Sequence, residues 1–304
     1  MAMAPGVLKV LSPGISASLQ DRGRFGWRRF GVPISGVMDD HAAGWANRLL
    51  DNPPDAPVLE MLLQGAKLAV LQDTWIAVTG ADAEANVAAW RIARVKAGDL
   101  VHFLRERSGV WIYLAVEGGF EAEIVLGSAS AYQRGGLGKS LAAGDILCRR
   151  SEAAFRLVPT VAGRSVAWSE RRDYDAPPPL RVWCGPQWTC FHAKERDAFF
   201  AHEWTVTSRS DRTGYRLAGI ALKPQPPQII SEPVRVGSIQ VPPGGQPIVI
   251  MRDGPTVGGY PKLGMIDPAD LSWLAQCRPG TQVKFRPADS RWARAEPLER
   301  RSVA

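Results

Sequence analysis

Gly26-Trp27-Arg28-Arg29-Phe30-Gly31-Val32 returns in the second half of the chain as Gly214-Tyr215-Arg216-Leu217-Ala218-Gly219-Ile220. Both copies read G-[WY]-R-x-x-G-[VI], and each follows an Asp-Arg pair, Asp21-Arg22 and Asp211-Arg212. Further along, Glu60 precedes Gly65 and Glu232 precedes Gly237, both as E-x-x-x-x-G. Two apolar runs ending near an aspartate come next, Trp75 to Asp82 and Ile248 to Asp253, and then turns at Ala97-Gly98-Asp99 and Pro279-Gly280. Four matches in one order predict two related domains. A chain of 304 residues has room for both cores. The segment Arg171-Arg172-Asp173-Tyr174-Asp175-Ala176-Pro177-Pro178-Pro179, charged and then proline-rich, reads as an extended linker. The predicted domains are therefore 1–175 and 176–304.

Composition narrows the class. Hydrophobic content of 45% with 22% charged residues is ordinary for a soluble globular protein, and 30 Gly with 24 Pro predict many turns. A net charge of +7 favours anionic ligands but is mild for this length. The cysteines Cys148, Cys184, Cys190 and Cys277 show no C-x-x-C spacing, which predicts reduced thiols in a cytoplasmic protein. No apolar stretch approaches the ~18 residues of a membrane span, and the first residues lack the basic and apolar regions of a signal peptide.

Strands dominate the local reading. Val7–Leu11, Leu68–Leu71, Trp75–Val78, Leu100–Leu104 and Val110–Val116 are expected strands of the first domain. Leu180–Trp183, Trp204–Ser208, Val234–Val241, Ile248–Met251 and Gln282–Phe285 are expected in the second. Helices are expected at Met38–Leu50, capped by Asp39 or Asp40 and stopped by Asp51-Asn52-Pro53-Pro54, at Ala193–Phe200, and at Asp270–Gln276 with Asp270 as cap. The tail after Asp289 reads as polar and frayed. Short strands punctuated by Gly pairs predict a mainly β protein with short helices, a barrel or a sandwich.

Several chemistries find no support in the motifs. Gly138-Lys139-Ser140 resembles the end of a phosphate-cradling loop, but Gln133 stands where the first glycine is required. His41, His102, His192 and His202 form no metal-ligand spacing, so no metal site is expected. There is no G-x-S-x-G elbow. Arg22, Arg24, Arg28 and Arg29 with Phe25, Trp27 and Phe30 interleaved suit either phosphate and base stacking or a solvated turn, and other nucleic-acid signatures are missing.

Three stretches gather polar groups. Ser210-Asp211-Arg212-Thr213-Gly214-Tyr215-Arg216 places a carboxylate, two guanidiniums, hydroxyls and a phenol in seven residues, either as an ion-paired turn or as a carboxylate or phosphate grip. Ser231-Glu232 and the strand around Gln240 supply a second carboxylate and an amide. Thr256-Val257-Gly258-Gly259-Tyr260-Pro261-Lys262, shortly after the apolar run Pro247–Met251, reads as a hairpin turn or as a strand delivering a phenol and an ammonium to one point.

At these residues the chain resembles the family of biotin-dependent carboxyltransferases and 5-oxoprolinase C subunits, which includes allophanate hydrolase subunit 2 and the carboxyltransferase part of urea amidolyase. The carriers are Gln20–Arg24, Gly31–Asp39, Ala46–Leu49, Leu59-Glu60, Thr79–Asp82, Leu126–Ser128, Arg134–Gly136, Ser210–Leu217, Ser231-Glu232, Gly237–Pro242 and Gly258–Lys262. The resemblance implies two tandem cyclophilin-like β-barrel domains with a ligand site between them. It implies one of two reactions. One is the ATP-dependent opening of 5-oxoproline to glutamate with partners like the A and B subunits of 5-oxoprolinase. The other is carboxyl transfer from carboxybiotin on a separate carrier to urea or a similar amide. A third branch is non-catalytic, a regulator binding a kinase-inhibitor-like partner. As a free-standing chain without a biotin-acceptor M-K-M segment, it fits the first reaction best. By motif position, Lys262 and Arg212 would stabilise developing negative charge, Asp211 or Glu232 would act as base or N–H acceptor, and Tyr260 and Gln240 would orient a small amide or lactam. Ser210, Tyr215, Gly258 and Gly259 would line the site, and Asp39 and Asn47 would close it from the first domain. Pro255 and Val257 depart from the Gln and Thr expected around Thr256, which bears on the loop and on the substrate it accepts.

Overall fold

The structure, a computed structural model, describes residues 6–150 and 161–289. Two compact units divide the chain after Ala176. The N-terminal unit comprises β1 (Gly6–Pro13), β2 (Ser16–Gln20), α1 (Asp40–Leu49), β3 (Val58–Leu62), β4 (Ala66–Val70), β5 (Thr74–Ala85), β6 (Arg91–Val95), β7 (Leu100–Val116) and β8 (Ile146–Cys148). The C-terminal unit comprises β9 (Leu180–Cys184), α2 (Ala193–Ala201), β10 (Trp204–Val206), β11 (Gly214–Ala218), β12 (Glu232–Pro233), β13 (Ser238–Gln240), β14 (Ile248–Ile250), β15 (Val257–Gly258), β16 (Lys262–Ile266), α3 (Pro268–Ala275), β17 (Gln282–Val283) and β18 (Phe285–Pro287). The protein is mainly β, and three α-helices occur among the described residues. No helix among them is long and apolar enough to cross a membrane.

One strand organises the N-terminal sheet, whose order is β2-β3-β7-β4-β1-β8, with β5 pairing both β6 and β7. β7 pairs with β4 through Leu100–His102 and with β3 through Trp111–Leu114, while β5 runs along its other edge. The sequence reads this stretch as two strands because Arg105 to Gly109 breaks the apolar pattern. The backbone carries through because Asp82, Ala83 and Ala85 of β5 pair there, across repeated register shifts. Such bulges bend and twist a sheet, so its ends curl toward one another. Gly80 (φ +89°) makes the first of them possible, since a Cβ there would meet the Trp111 carbonyl. Inside the curl, Val7, Leu8, Leu59, Met61, Ile76, Phe103, Ile112 and Leu114 are fully buried, each contributing about 1.5–3 kcal/mol relative to exposure.

Helix α1 packs on this sheet. Its cap is Asp39, which accepts the Ala42 N–H at 3.0 Å, and Ala42, Ala43, Ala46, Asn47 and Leu49 face inward at helical spacing.

The C-terminal sheet runs β17-β10-β11-β14-β13-β16-β9-β18, antiparallel except for β9 beside β18. Phe199 of α2 stacks on Phe285 (4.9 Å between centroids) and leans on Trp204 (5.5 Å), forming the aromatic part of this core. A separate two-stranded ribbon joins β12 to β15, with Glu232 opposite Gly258.

Three expectations shift here. The strand expected over Val234–Val241 shortens to Ser238–Gln240, because Gly237 (φ +87°) turns the chain and Ser238 Oγ accepts the Arg235 N–H. Helix α3 is capped by Asp267, which accepts the Ala269 N–H, with Pro268 opening the helix; Asp270 instead holds Arg181. The repeated G-[WY]-R motif adopts two local structures. Gly214–Ala218 is strand β11, whereas Arg28–Phe30 is a single 3-10 turn between Gly26 (φ +91°) and Gly31 (φ +82°). The expected frayed tail lies beyond Asp289 and outside the described residues.

Candidate functional site

The register of the C-terminal sheet builds the site. Gln240 of β13 stands directly opposite Lys262 of β16. Directly paired residues share a face with Cβ atoms about 5 Å apart. Next to them, the β12–β15 ribbon presents Glu232 opposite Gly258. Gly258 is hard against Gln240: a Cβ there would lie 2.6 Å from Gln240 Nε2 and 3.1 Å from Val234 Cγ2. Only glycine lets the ribbon settle onto that amide. Gly259 continues the close approach, with the Ile229 carbonyl at 3.0 Å and Ser231 Oγ at 3.3 Å from a built Cβ.

The chemistry centres on an ion pair of unequal burial. Lys262 Nζ donates to Glu232 Oε1 in a short contact, with the Lys262 side chain 5% exposed and Glu232 38% exposed. A third group, which no sequence motif marks, completes the cluster. Gln187 Nε2 donates to the same Glu232 Oε1 at 2.8 Å, and Gln187 Oε1 accepts the Lys262 backbone N–H at 3.2 Å. The Lys262 ammonium, and then the Gln187 amide, hold the Glu232 carboxyl below the usual carboxylate range. Glu232 is thus ionised at neutral pH. Its Oε2 has no hydrogen-bond partner among the described residues. Gln240 is 4% exposed and its Nε2 is likewise without a partner among them. Tyr260, 36% exposed, follows Gly259 on the approach to Lys262.

The structure thus brings Glu232, Lys262, Gln240 and Gly258 together, with Gly259 and Tyr260 adjoining. The stretch around Asp211 has other occupations. Asp211 Oδ1 accepts the N–H groups of Thr213 (2.8 Å) and Gly214 (3.1 Å), tying its own turn. Arg212 pairs in a bidentate fashion with Asp253 (2.7 and 3.2 Å). Ser210 Oγ accepts the Arg216 N–H, and Tyr215 donates from a buried position to the Ala275 carbonyl at 2.6 Å.

In the N-terminal unit, Asp39 and Asn47 are buried. Asp39 caps α1 and accepts from Tyr174 at 2.9 Å, and its N–H donates to Tyr113, whose hydroxyl donates to Glu60. Burial first, and then the charges of Glu60 and Asp39, push the Tyr113 phenol well above its ordinary value. Asn47 donates to the Ala56 carbonyl and accepts from Asn52. A hollow of about 1030 Å³ beside β6 includes Trp75, Arg91, Arg94 and Asp99. Arg94 pairs at 3.7 Å with Asp73 outside the hollow, half exposed on both sides, unlike the buried ammonium of Lys262. The Gly138-Lys139-Ser140 segment does not fit a nucleotide's phosphates: Lys139 is paired with Asp145 at 2.6 Å, and no helix follows. No group of three or more His, Cys, Asp or Glu is placed to hold a metal among the described residues.

A family model of the carboxyltransferase domain, subdomain A and B, matches residues 30–287. The chain belongs to this carboxyltransferase family. It is 37% identical to the C subunit of 5-oxoprolinase from Haemophilus influenzae over 92% of this chain and 90% of that one. To the Escherichia coli C subunit it is 34% identical, with the same coverage. The urea amidolyase of Lachancea kluyveri is 30% identical over 95% of this chain, which spans only 17% of that enzyme. Among solved structures, TTHA0988 superposes with a TM-score of 0.83 at 34% identity, and Kluyveromyces lactis urea carboxylase with 0.85 at 29%. This carboxyltransferase-family chain covers 92% and 94% of itself in those matches but only 55% and 28% of the solved chains.

Proposed function

We propose that this chain is the lactam-handling subunit of an ATP-dependent 5-oxoprolinase, acting in the cytoplasm with partners like the A and B subunits of that enzyme. The observation that carries the reading is the placement of an ammonium, Lys262 at the start of β16, against the Glu232 carboxylate of the β12–β15 ribbon, whose Oε1 it holds and whose Oε2 takes no hydrogen bond among the described residues. A lactam holds its N–H and C=O on the same side of the amide bond. That edge is complementary to a donor and an acceptor standing together. Lys262 donates to the carbonyl oxygen and stabilises the negative charge that develops when a nucleophile adds to the carbonyl carbon. Glu232 accepts the ring N–H; being ionised, it orients that group and does not need to be deprotonated first. Opening the ring breaks the C–N bond, places a water oxygen on the carbonyl carbon and leaves the nitrogen protonated. Gln240 and Tyr260 are the orienting groups beside this edge. ATP supplies the driving force for opening a resonance-stabilised lactam, and no residue of the site is assigned to hold it. The end-to-end likeness to the C subunits of two 5-oxoprolinases supports this reading over the alternatives.

A second reading is carboxyl transfer from carboxybiotin on a separate carrier to urea. The likeness to urea carboxylase favours it, and urea also presents N–H beside C=O. The experiment that tests the first reading is conversion of 5-oxoproline to glutamate with ATP by the mixed subunits, each omitted in turn. Activity that is lost when this chain is left out supports it. A complete set without turnover, together with a biotinylated co-purifying protein, would move the assignment to carboxyl transfer.

A further inference from the structure

Gln187 carries no motif, yet two backbone features at Gly185 and one side-chain hydrogen bond fix it against Lys262. Gly185 donates its N–H to the Leu263 carbonyl at 3.0 Å. A Cβ at Gly185 would collide with the Lys262 carbonyl, so glycine is what lets the loop after β9 lie flat on β16. Gln187 Oε1 then accepts the Lys262 N–H, which locks the amide's orientation and aims Nε2 at Glu232. A carboxylate on a two-stranded ribbon, 38% exposed, has rotational freedom of its own. Two donors on the same oxygen remove it.

We infer that Gln187 is the positioning residue of this site: by donating to Glu232 Oε1 while gripping the Lys262 backbone, it turns Glu232 so that Oε2 is the oxygen presented beside the ammonium. The inference rests on reading the Lys262–Glu232 pair as the substrate-handling site. Lys262, from β16, is the charged group acting on Glu232, and the facing ribbon strand contributes only Val257 and Gly258, which do not titrate.

Two substitutions in the assembled enzyme separate positioning from mere structure. Gln187→Met keeps the length and loses the donor. It should lower kcat at neutral pH by about tenfold or more, the weight of one hydrogen bond to a charged group, with KM moved less, and the ratio to wild type should fall, not recover, as pH drops toward the Glu232 titration. Gln187→Glu sets a second carboxylate against Glu232 Oε1. Two carboxylates in contact cannot both stay ionised. As pH falls, the proton they share restores a donor, so the variant's activity relative to wild type should rise. Recovery at low pH in Gln187→Glu but not in Gln187→Met supports the inference. Equal and pH-independent losses in both variants, or no loss in either, overturn it. If the wild-type assembly does not turn over 5-oxoproline, the lactam reading fails, and Gln187 is judged on the full chain alone. The carboxyl titration of Glu232, followed by 13C NMR of labelled glutamate and assigned by its disappearance in Glu232→Gln, should move to higher pH in Gln187→Met. An unmoved titration overturns the inference there too.

Discussion

Lys262 and Glu232 form one pair, but their unequal burial predicts unequal costs when each is removed. At an effective dielectric near 20 and ~3 Å separation the gross attraction is about 5 kcal/mol. Desolvating the ammonium opposes it by several kcal/mol. Glu232 is more than a third exposed, so screening leaves a net value of about 0–1 kcal/mol. Lys262→Met keeps the buried stem, removes the desolvation penalty and lets Glu232 turn to water. Its unfolding free energy should stay within about 1 kcal/mol of wild type. Glu232→Ala leaves an ammonium that is 5% exposed without its counter-charge and should cost about 2–4 kcal/mol. The double variant, with no charge left buried, should recover most of the loss. Urea unfolding of the full chain followed by circular dichroism measures these costs, and unchanged m-values would validate the comparison. In the assembled enzyme, both single variants should lose at least about a hundredfold in turnover. A Lys262→Met chain destabilised more than Glu232→Ala would refute the reasoning: Lys262 would then be a structural pin and not a charge retained for chemistry.

Other perturbations test neighbouring contacts. Gly258→Ala drives a methyl into Gln240 and Val234; it should cost about 1–3 kcal/mol and most of the turnover, measured by melting and by 5-oxoproline conversion with the mixed subunits. Tyr113→Phe removes the hydroxyl that accepts the buried Asp39 N–H and donates to Glu60, for a loss of about 1–3 kcal/mol by denaturant titration. Tyr113 and Tyr174 are both raised above the ordinary phenol range by burial first and neighbouring carboxylates second. Their contribution is present below the unfolded phenol value and falls as pH rises past about 10, so their phenolate absorbance should appear together with alkaline unfolding and not before it. Burial pushes Asp270 up, but Arg181 at 2.7–2.9 Å outweighs it and leaves the carboxyl below its usual range. That contribution is present above about pH 4 and lost as pH falls below it, so Asp270→Asn should flatten the acid limb of the stability profile.

The sequence carried the β class and α1 well, because both depend on local pattern: an aspartate at 39 or 40 followed by apolar residues at helical spacing reads as a capped helix, and the structure selects Asp39 as the cap. It carried β7 poorly. The polar stretch Arg105–Gly109 breaks the alternation, and only the distant partner β5 keeps it extended. Asp270 illustrates a similar limit. Asp270 is a sound cap by type, but its carboxylate is held at both oxygens by Arg181, far off in the chain, and Asp267 caps the helix instead.

The candidate site divides along the same line. Gly258-Gly259-Tyr260-Pro261-Lys262 was visible because tight backbone approach demands glycine and leaves a mark in the sequence. The Ser210–Tyr215 cluster looked richer in chemistry, yet its groups are engaged in a turn, an internal ion pair and the hydrogen bond of a core tyrosine. Density of polar residues in sequence does not measure desolvation. What sets Lys262 apart is an ammonium buried by three separate segments that meet only in the folded sheet, β12, β16 and the loop after β9. Gln187 belongs to the segment with no motif at all. The one local sign of it was Gly185, a glycine outside any positive-φ turn, whose missing Cβ makes room for the Lys262 carbonyl. A glycine that a turn does not require points to something packed against the backbone, and here that something is the strand carrying the lysine.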